Sequence, residues 1–157
     1  MRQRMPDLDP CILADPNIEK ELLQAWERWS GLFPRRVFSH EGREYLLAWF
    51  ERDVEDEVDR EFGRSPSLGY AKHCLAVCAL VEETGRFDPT AVKKGCSMAP
   101  KVSRSLKEKA ESLGFALNDD GSPKRRFAVF TFRQDEKANN CGACRLYDSC
   151  ASTGRER

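Results

Sequence analysis

Three cysteines lie within ten residues near the carboxyl end of the chain, at Cys141, Cys144 and Cys150. The two residues between Cys141 and Cys144 allow a tight turn that brings both sulfurs to one metal centre. The next five residues, about one helical turn, bring the third sulfur round. Residues 133–140 contain no Cys or His, and neither does the segment after Cys150. A fourth soft ligand therefore has to come from a distant part of the chain, and it would fasten the tail to the body of the protein.

The spacing of these cysteines favours an iron–sulfur cluster over a zinc site. Zinc ribbons usually pair two short Cys knuckles, whereas this chain has one knuckle and a third Cys at a longer step. We therefore expect a four-iron, four-sulfur (4Fe-4S) cluster. Zinc and unmetallated thiols are the alternatives.

The remaining cysteines supply the candidates for the fourth ligand. Cys96 is the first choice, because it lies between two predicted helices, where backbone amides at a helix start would stabilise its thiolate. Cys74 and Cys78 share one face of a predicted helix and are the alternatives. Their other interpretation is that of small buried core residues. Cys11 lies in a predicted loose arm and is expected to be a free thiol.

The segment from Cys141 to Cys150 resembles the carboxyl-terminal cluster loop of the endonuclease III and MutY glycosylase family, which shares the Cys-Gly-x-Cys and five-residue steps. It is also similar to cluster segments of the TFE-beta and RNA polymerase III subunit family, of AddB and CRISPR-associated nucleases, and of NifQ. These resemblances imply an iron–sulfur cluster. Endonuclease III proteins have a further Cys seven residues before the knuckle, where this chain has Gln134. A helix-hairpin-helix is not visible either, so base excision is not implied.

Composition places the chain among soluble proteins with reduced thiols. Its 26 basic and 26 acidic residues give a formal net charge of zero, so only local patches can attract nucleic acid or an anionic membrane. The sequence shows no amino-terminal signal segment and no apolar run near 18 residues, which predicts a cytoplasmic protein without membrane insertion. The odd count of seven cysteines argues against a fully paired disulfide framework.

The first half of the chain is predicted to be a pair of helices. Residues 1–15 are polar and Pro-containing, as in a loose arm, and Asp15-Pro16 is the expected start of a helix that ends near Ser30. Residues 32–40 are predicted to be a connection, and residues 41–62 one long amphipathic helix with an acidic outer face. The Gly and Ser residues at 63–67 mark a boundary after a helical unit at 16–64.

The second half is predicted to contain three helices followed by two strands. The helices are expected at 68–84, 89–94 and 99–113, and the strands at 115–117 and 126–133. This order resembles the winged helix-turn-helix family over residues 66–133, with residues 99–113 in the position of the recognition helix. A cluster-binding tail follows at 134–157. The expected fold class is mostly α (α+β), with an N-terminal helical pair, a winged-helix-like domain and a C-terminal metal-cluster loop.

The winged-helix resemblance implies a DNA-binding surface used in transcription regulation. The candidate nucleic-acid contacts are basic and polar side chains outside the buried stripe of the recognition helix, together with the expected wing tip. They are Lys101, Ser103, Arg104, Lys107, Lys124, Arg125 and Arg126. The alternatives are a winged helix that contacts protein and a simple scaffold for the cluster.

The sequence carries no motif that predicts catalysis. A phosphate-binding Gly loop, a nucleophile elbow and a zincin helix are all missing, which favours a protein that is not an enzyme. The leading hypothesis is a cluster protein that acts as a nucleic-acid-associated or redox-regulatory module, with DNA or RNA as its partner. The rival hypothesis is a cluster-carrying accessory subunit or assembly factor that binds a larger enzyme complex.

Overall fold

The computed structural model describes residues 4–135, 137 and 140–150. Within these residues the chain is mostly helical and carries one small antiparallel sheet, so the fold class is α+β. The strand order in the sheet is β1-β2-β3. The helices and strands are, in chain order, α1 (Pro16–Trp29), β1 (Arg35–His40), β2 (Arg43–Trp49), α2 (Arg52–Arg64), α3 (Pro66–Phe87), α4 (Pro89–Lys94), α5 (Arg104–Ser112) and β3 (Ala128–Phe132).

Two helix starts follow the same local chemistry. The Asp15 carboxylate accepts a hydrogen bond from the Asn17 amide at 2.8 Å, and Pro16 occupies the first turn of α1. Asp88 and Pro89 repeat this arrangement at the start of α4. In both cases Asp satisfies an orphan amide, and Pro stands where no amide hydrogen is needed. The predicted starts of these two helices are confirmed.

A β-hairpin replaces the first part of the helix that the sequence predicted over residues 41–62. Residues 35–40, predicted to be a connection, form β1, and residues 43–49 form β2. The turn between them consists of Glu41 and Gly42, with φ of 49° and 75°. Two central residues with positive φ define a turn whose twist matches that of the flanking strands. Only the later part of the predicted helix, α2, is helical.

The region assigned to the recognition helix and wing also differs from the prediction. Helix α5 begins at Arg104, because the Ser103 hydroxyl caps it by accepting from the Leu106 amide at 3.2 Å. Residues 101–103 precede the helix. The predicted strand at 115–117 is reduced to an isolated bridge between Leu117 and Pro123, while β3 joins the sheet beside β2. The hairpin expected for the wing is therefore not formed by the residues described.

The described residues group into two compact units whose segments alternate along the chain. The first unit combines residues up to 34 with residues 48–83 and 125–128. Its aromatic core surrounds Phe50, whose ring lies 6.5, 6.0 and 4.3 Å from those of Trp26, Trp29 and Phe33. The residues before α1 also belong to this unit: Leu8 is buried, and the Asp7 amide donates to the Glu82 carboxylate.

The second unit combines residues 35–47, residues 84–124 and the described residues after 128. Tyr45 of β2 stacks on Phe38 at 5.3 Å and contacts Phe130 of β3 at 5.9 Å. Phe115 packs edge-on against Phe130, and the α5 side chain of Leu106 is buried. The core of this unit is thus built from aromatic and other apolar side chains. None of the described helices is both long and apolar enough to cross a bilayer.

Candidate metal centre

The three tail cysteines lie in a compact pair of helical turns. Cys141 begins a 3-10 turn, and its carbonyl accepts from the Cys144 amide at 3.0 Å. A second 3-10 turn over Tyr147–Ser149 ends at Cys150. Asn140 fixes the entrance to the first turn, because its side chain accepts from the Asp135 amide and donates to the Asp135 carbonyl. Cys144 is buried, while Cys141 and Cys150 are partly exposed.

Cys96 follows α4, and both its backbone amide and its backbone carbonyl form hydrogen bonds. Gly95 adopts a left-handed conformation (φ 64°) that ends α4, and the Cys96 amide donates back to the Ala91 carbonyl at 3.0 Å. The Cys96 carbonyl accepts a 2.7 Å hydrogen bond from Gln134 Nε2. The backbone position of Cys96 is therefore fixed, while the residue itself remains exposed.

The segment after Cys96 pairs with the tail. Pro100 and Cys144 form an isolated antiparallel bridge. The Lys101 amide donates to the Ala143 carbonyl at 3.2 Å, and the Arg145 amide donates to the Ala99 carbonyl at 2.7 Å. These contacts hold residues 99–101, which follow Cys96, against residues 143–145 of the tail.

The thiol of Cys96 is influenced by all three tail thiols. Partial burial raises the pKa of Cys96 first, and the negative charges of Cys144, Cys150 and Cys141 raise it further. The sequence had predicted the opposite direction, a thiolate stabilised by a helix start. That expectation is wrong because α5 begins at Arg104, eight residues later. A cationic centre would reverse the repulsion among these thiols, since bound metal ions deprotonate their thiol ligands.

The described residues do not form a closed metal site by themselves. Within the described ranges, no group of three or more Cys, His, Asp or Glu is gathered tightly enough to hold one metal ion. Tetrahedral zinc would need sulfurs roughly 3.8 Å apart, because each Zn–S bond is near 2.3 Å. A 4Fe-4S cluster binds each thiolate through a different iron, so its ligands are spread more widely.

The alternative ligands Cys74 and Cys78 lie on α3, in the first unit. Both are partly buried. Burial raises the pKa of Cys78, and Cys74 and Glu82 raise it further. Cys11 is exposed, and hydrogen bonding to Asp9 raises the pKa of its thiol. Cys96 and the three tail cysteines thus belong to the second unit, whereas Cys11, Cys74 and Cys78 belong to the first.

Carboxylates accompany most of the basic side chains predicted to contact nucleic acid. Arg104 pairs with Glu108 at 3.0 Å and Lys107 with Asp119 at 3.4 Å. In the first unit, Arg125 lies 3.9 Å from Glu51, and Arg126 lies 2.8 Å from Asp59. Ser103 caps α5, and Lys101 and Lys124 are exposed. Within each unit, neighbouring acids thus balance the charge of most of these basic side chains, although exposed pairs of this kind are weak.

Gln134 is a residue of the candidate site that spacing alone did not assign. It occupies the position at which endonuclease III proteins have a further Cys. Its side-chain amide donates to the backbone carbonyl of Cys96, the residue predicted to be the fourth ligand. Its own backbone amide donates to Asp88 Oδ2 at 3.0 Å. Gln134 Oε1 is buried without a hydrogen-bond partner in the described part of the chain. The family spacing was the signal that pointed to position 134.

No protein-family model, curated protein or solved structure matches this chain. Its function is therefore inferred from its own residues and their contacts.

Proposed function

We propose that the protein is an iron–sulfur protein in which Cys96, Cys141, Cys144 and Cys150 hold a 4Fe-4S cluster. The observation that carries this proposal is the backbone pairing of residues 99–101, close to Cys96, with residues 143–145 of the tail. The raised pKa of Cys96, to which burial and the three tail thiols contribute, agrees with it. In this role the cluster is a redox-responsive element, because its oxidation or loss changes the charge and constraint on the tail.

We further propose that this module works through a protein partner. Helix α3 presents Tyr70, Val77 and Val81 with 58%, 38% and 64% of their surfaces exposed. Their spacing places all three on one face of the helix. The candidate nucleic-acid surface, by comparison, is largely neutralised by acids. A cluster-carrying accessory subunit or regulator is therefore favoured over a DNA-binding transcription factor.

Metal analysis of variants tests the cluster. Wild type purified without oxygen should be brown, with about four irons per chain. Cys96→Ala should lose most of its iron, because the cluster would keep only three protein ligands. Cys11→Ala is the matched control and should retain the wild-type iron content and spectrum. The fourth-ligand alternatives are tested in the same way with Cys74→Ala and Cys78→Ala, which should also retain iron.

Other outcomes would contradict the proposal. A colourless wild type with one zinc would establish the alternative metal, and a wild type without metal would leave the thiols unligated. Full iron content in Cys96→Ala would assign the fourth ligand elsewhere.

Anaerobic gel shifts across a range of salt concentrations distinguish a nucleic-acid partner from a protein partner. Salt-sensitive nucleic-acid binding that weakens in Lys101→Gln and Lys124→Gln would favour the regulatory, nucleic-acid-associated version.

A further inference from the structure

A charged cleft in the first unit lies outside the candidate metal centre. Its volume is about 340 Å³, near the lower end for small-molecule sites. The end of α1, the middle and end of α2, and the start of α3 supply its walls. The lining side chains are Arg28, Glu57, Arg60, Glu61, Arg64 and Lys72. All of them belong to the same compact unit.

The inner wall of the cleft is a preformed ion network. Lys72 is 3% exposed and donates to Glu57 at 2.9 Å and to Glu61 at 3.0 Å. Glu57 also accepts from Arg28 at 2.6 Å and from Trp29 Nε1 at 2.9 Å. Glu57 and Glu61 thus already accept hydrogen bonds from nearby side chains of the same unit. Such a network holds its side chains in one geometry before any ligand arrives.

The outer wall carries positive charge that this network does not balance. Arg60 and Arg64 lie four residues apart on α2, and neither forms an ion pair with a described residue. Like charges at this spacing on a helix repel each other. Four cations and two carboxylates line the cleft, so two positive charges remain. An incoming dianion would neutralise them and relieve the repulsion.

We propose that this cleft binds a dianionic phosphate group, with Arg60 and Arg64 as the main contacts. A phosphomonoester carries about −1.5 to −2 charges near pH 7, which matches the excess positive charge. Guanidinium groups bind phosphate oxygens in pairs through parallel N–H donors, and two arginines on adjacent turns offer two such forks. The phosphate can come from a small phosphomonoester or from the 5′ end of a nucleic acid. This inference does not depend on the cluster.

Isothermal titration of the whole, anaerobically purified chain tests the cleft. The probes are inorganic phosphate, ribose 5-phosphate and a short oligonucleotide with and without a 5′-phosphate, with chloride as the ionic-strength control. We expect wild type to bind inorganic phosphate and the double variant R60Q/R64Q to lose at least about tenfold in affinity, because both guanidinium forks are removed. Arg52→Gln is the matched control, since Arg52 is an exposed arginine on the same helix but outside the cleft.

The double variant should fold at least as well as wild type, because it removes a like-charge pair; thermal unfolding without phosphate checks this. Equal phosphate affinity in wild type and the double variant would overturn the proposal, and so would an absence of binding to wild type. Tighter binding of ribose 5-phosphate than of the phosphorylated oligonucleotide identifies a small ligand as the source. The reverse order, lost when the 5′-phosphate is removed, identifies a nucleic-acid end.

Discussion

Glu57 is a single carboxylate on which the ion network of the first unit converges. Burial alone would raise the pKa of Glu57, but hydrogen bonds from Trp29, Lys72 and Arg28 outweigh burial and lower the pKa below its ordinary value of 4.5. The ionised form is thus bound more strongly in the folded protein than in the unfolded chain. The network therefore ties the stability of this unit to pH.

We expect Glu57→Gln to reduce the free energy of unfolding at neutral pH by about 1–3 kcal/mol, because Lys72 and Arg28 lose a charged acceptor. The contribution of Glu57 is complete above its unfolded pKa of about 4.5 and is lost as the pH falls through the lower folded pKa. Wild-type stability should therefore fall more steeply on acidification than that of the variant. Urea unfolding at a series of pH values measures this. The exposed Glu21→Gln should keep the wild-type slope, and equal slopes in all three proteins would contradict the assignment.

Gln134 allows the identity of the fourth ligand to be tested by relocation. Its side-chain amide lies 2.7 Å from the Cys96 carbonyl, so a thiol at position 134 would lie close to the backbone of Cys96. We expect Cys96→Ala to lose the cluster and the double variant Cys96→Ala/Gln134→Cys to regain it, at least in part. Iron content and visible absorption measure the rescue. Cys96→Ala/Asn118→Cys is the control, and rescue by this control would show that any added thiol suffices.

Residue spacing predicted the three tail cysteines, and the position of Cys96 between two predicted helices made it the first choice for the fourth ligand; the electrostatic influence on Cys96 agrees with that grouping. The direction of its pKa shift was wrong, because it depended on where α5 begins, and the Ser103 cap fixes that start. The partners of the basic residues could not be predicted either. The bond from Arg126 to Asp59 joins positions 67 residues apart, and no local pattern reports such a contact.

The hairpin of β1 and β2 is the element that the sequence misassigned. Residues 46–50 are buried without interruption, so the alternation that marks a half-exposed strand is missing. Apolar residues at 47, 50, 54 and 58 then imitated a helical stripe. The available signal was the Glu41-Gly42 pair between two segments with aromatic residues. Capping residues, by contrast, identified α1 and α4 correctly, because caps act within a few residues of the helix start.

The hairpin turn should be sensitive to Gly42. Its φ of 75° lies in the left-handed region, where a side chain costs about 1–2 kcal/mol. We therefore expect Gly42→Ala to lower the free energy of unfolding by about that amount. Gly31→Ala is the control, because Gly31 lacks positive φ and has open space around its Cα. Chemical denaturation compares the two variants, and equal losses would show that the turn is not strained by a side chain.

The crossing of α2 and α3 depends on a second glycine. A Cβ at Gly69 would lie 2.7 Å from backbone atoms of Phe62, which cannot move aside as a flexible side chain can. We expect Gly69→Ala to destabilise the protein by about 1–3 kcal/mol through overpacking. Gly63→Ala, in α2, meets no atom within 4 Å and should be neutral or stabilising by up to about 1 kcal/mol. Thermal unfolding measures both, and the same sign for both variants would contradict this packing.

At the scale of the whole molecule, the tryptophans, whose fluorescence reports on folding, and the candidate cluster ligands belong to different units. The three tryptophans, Trp26, Trp29 and Trp49, lie in the first unit, and the four candidate ligands lie in the second. Cluster loss should therefore affect one unit selectively. The second unit also has a buried apolar core, which includes Phe130 and Leu106.

Removing the cluster with an oxidant and a chelator should loosen the tail without unfolding the protein. The backbone pairing of residues 99–101 with residues 143–145 would then be the remaining tie. We expect hydrogen exchange at the Lys101 and Arg145 amides to accelerate by about tenfold or more, because their local opening becomes easier. The wavelength of maximum tryptophan emission should stay constant. A red shift on cluster removal would contradict this separation.

The alternation of segments between the units has a consequence during translation. Residues 125–128 complete the first unit, although they follow most of the second unit in the chain. The nascent polypeptide therefore emerges with an incomplete aromatic core in the first unit, and Cys96 is synthesised before the three tail cysteines. The first core is complete only after residue 128 and the proposed ligand set only after residue 150, so the growing chain depends on protection from proteases and aggregation up to those points.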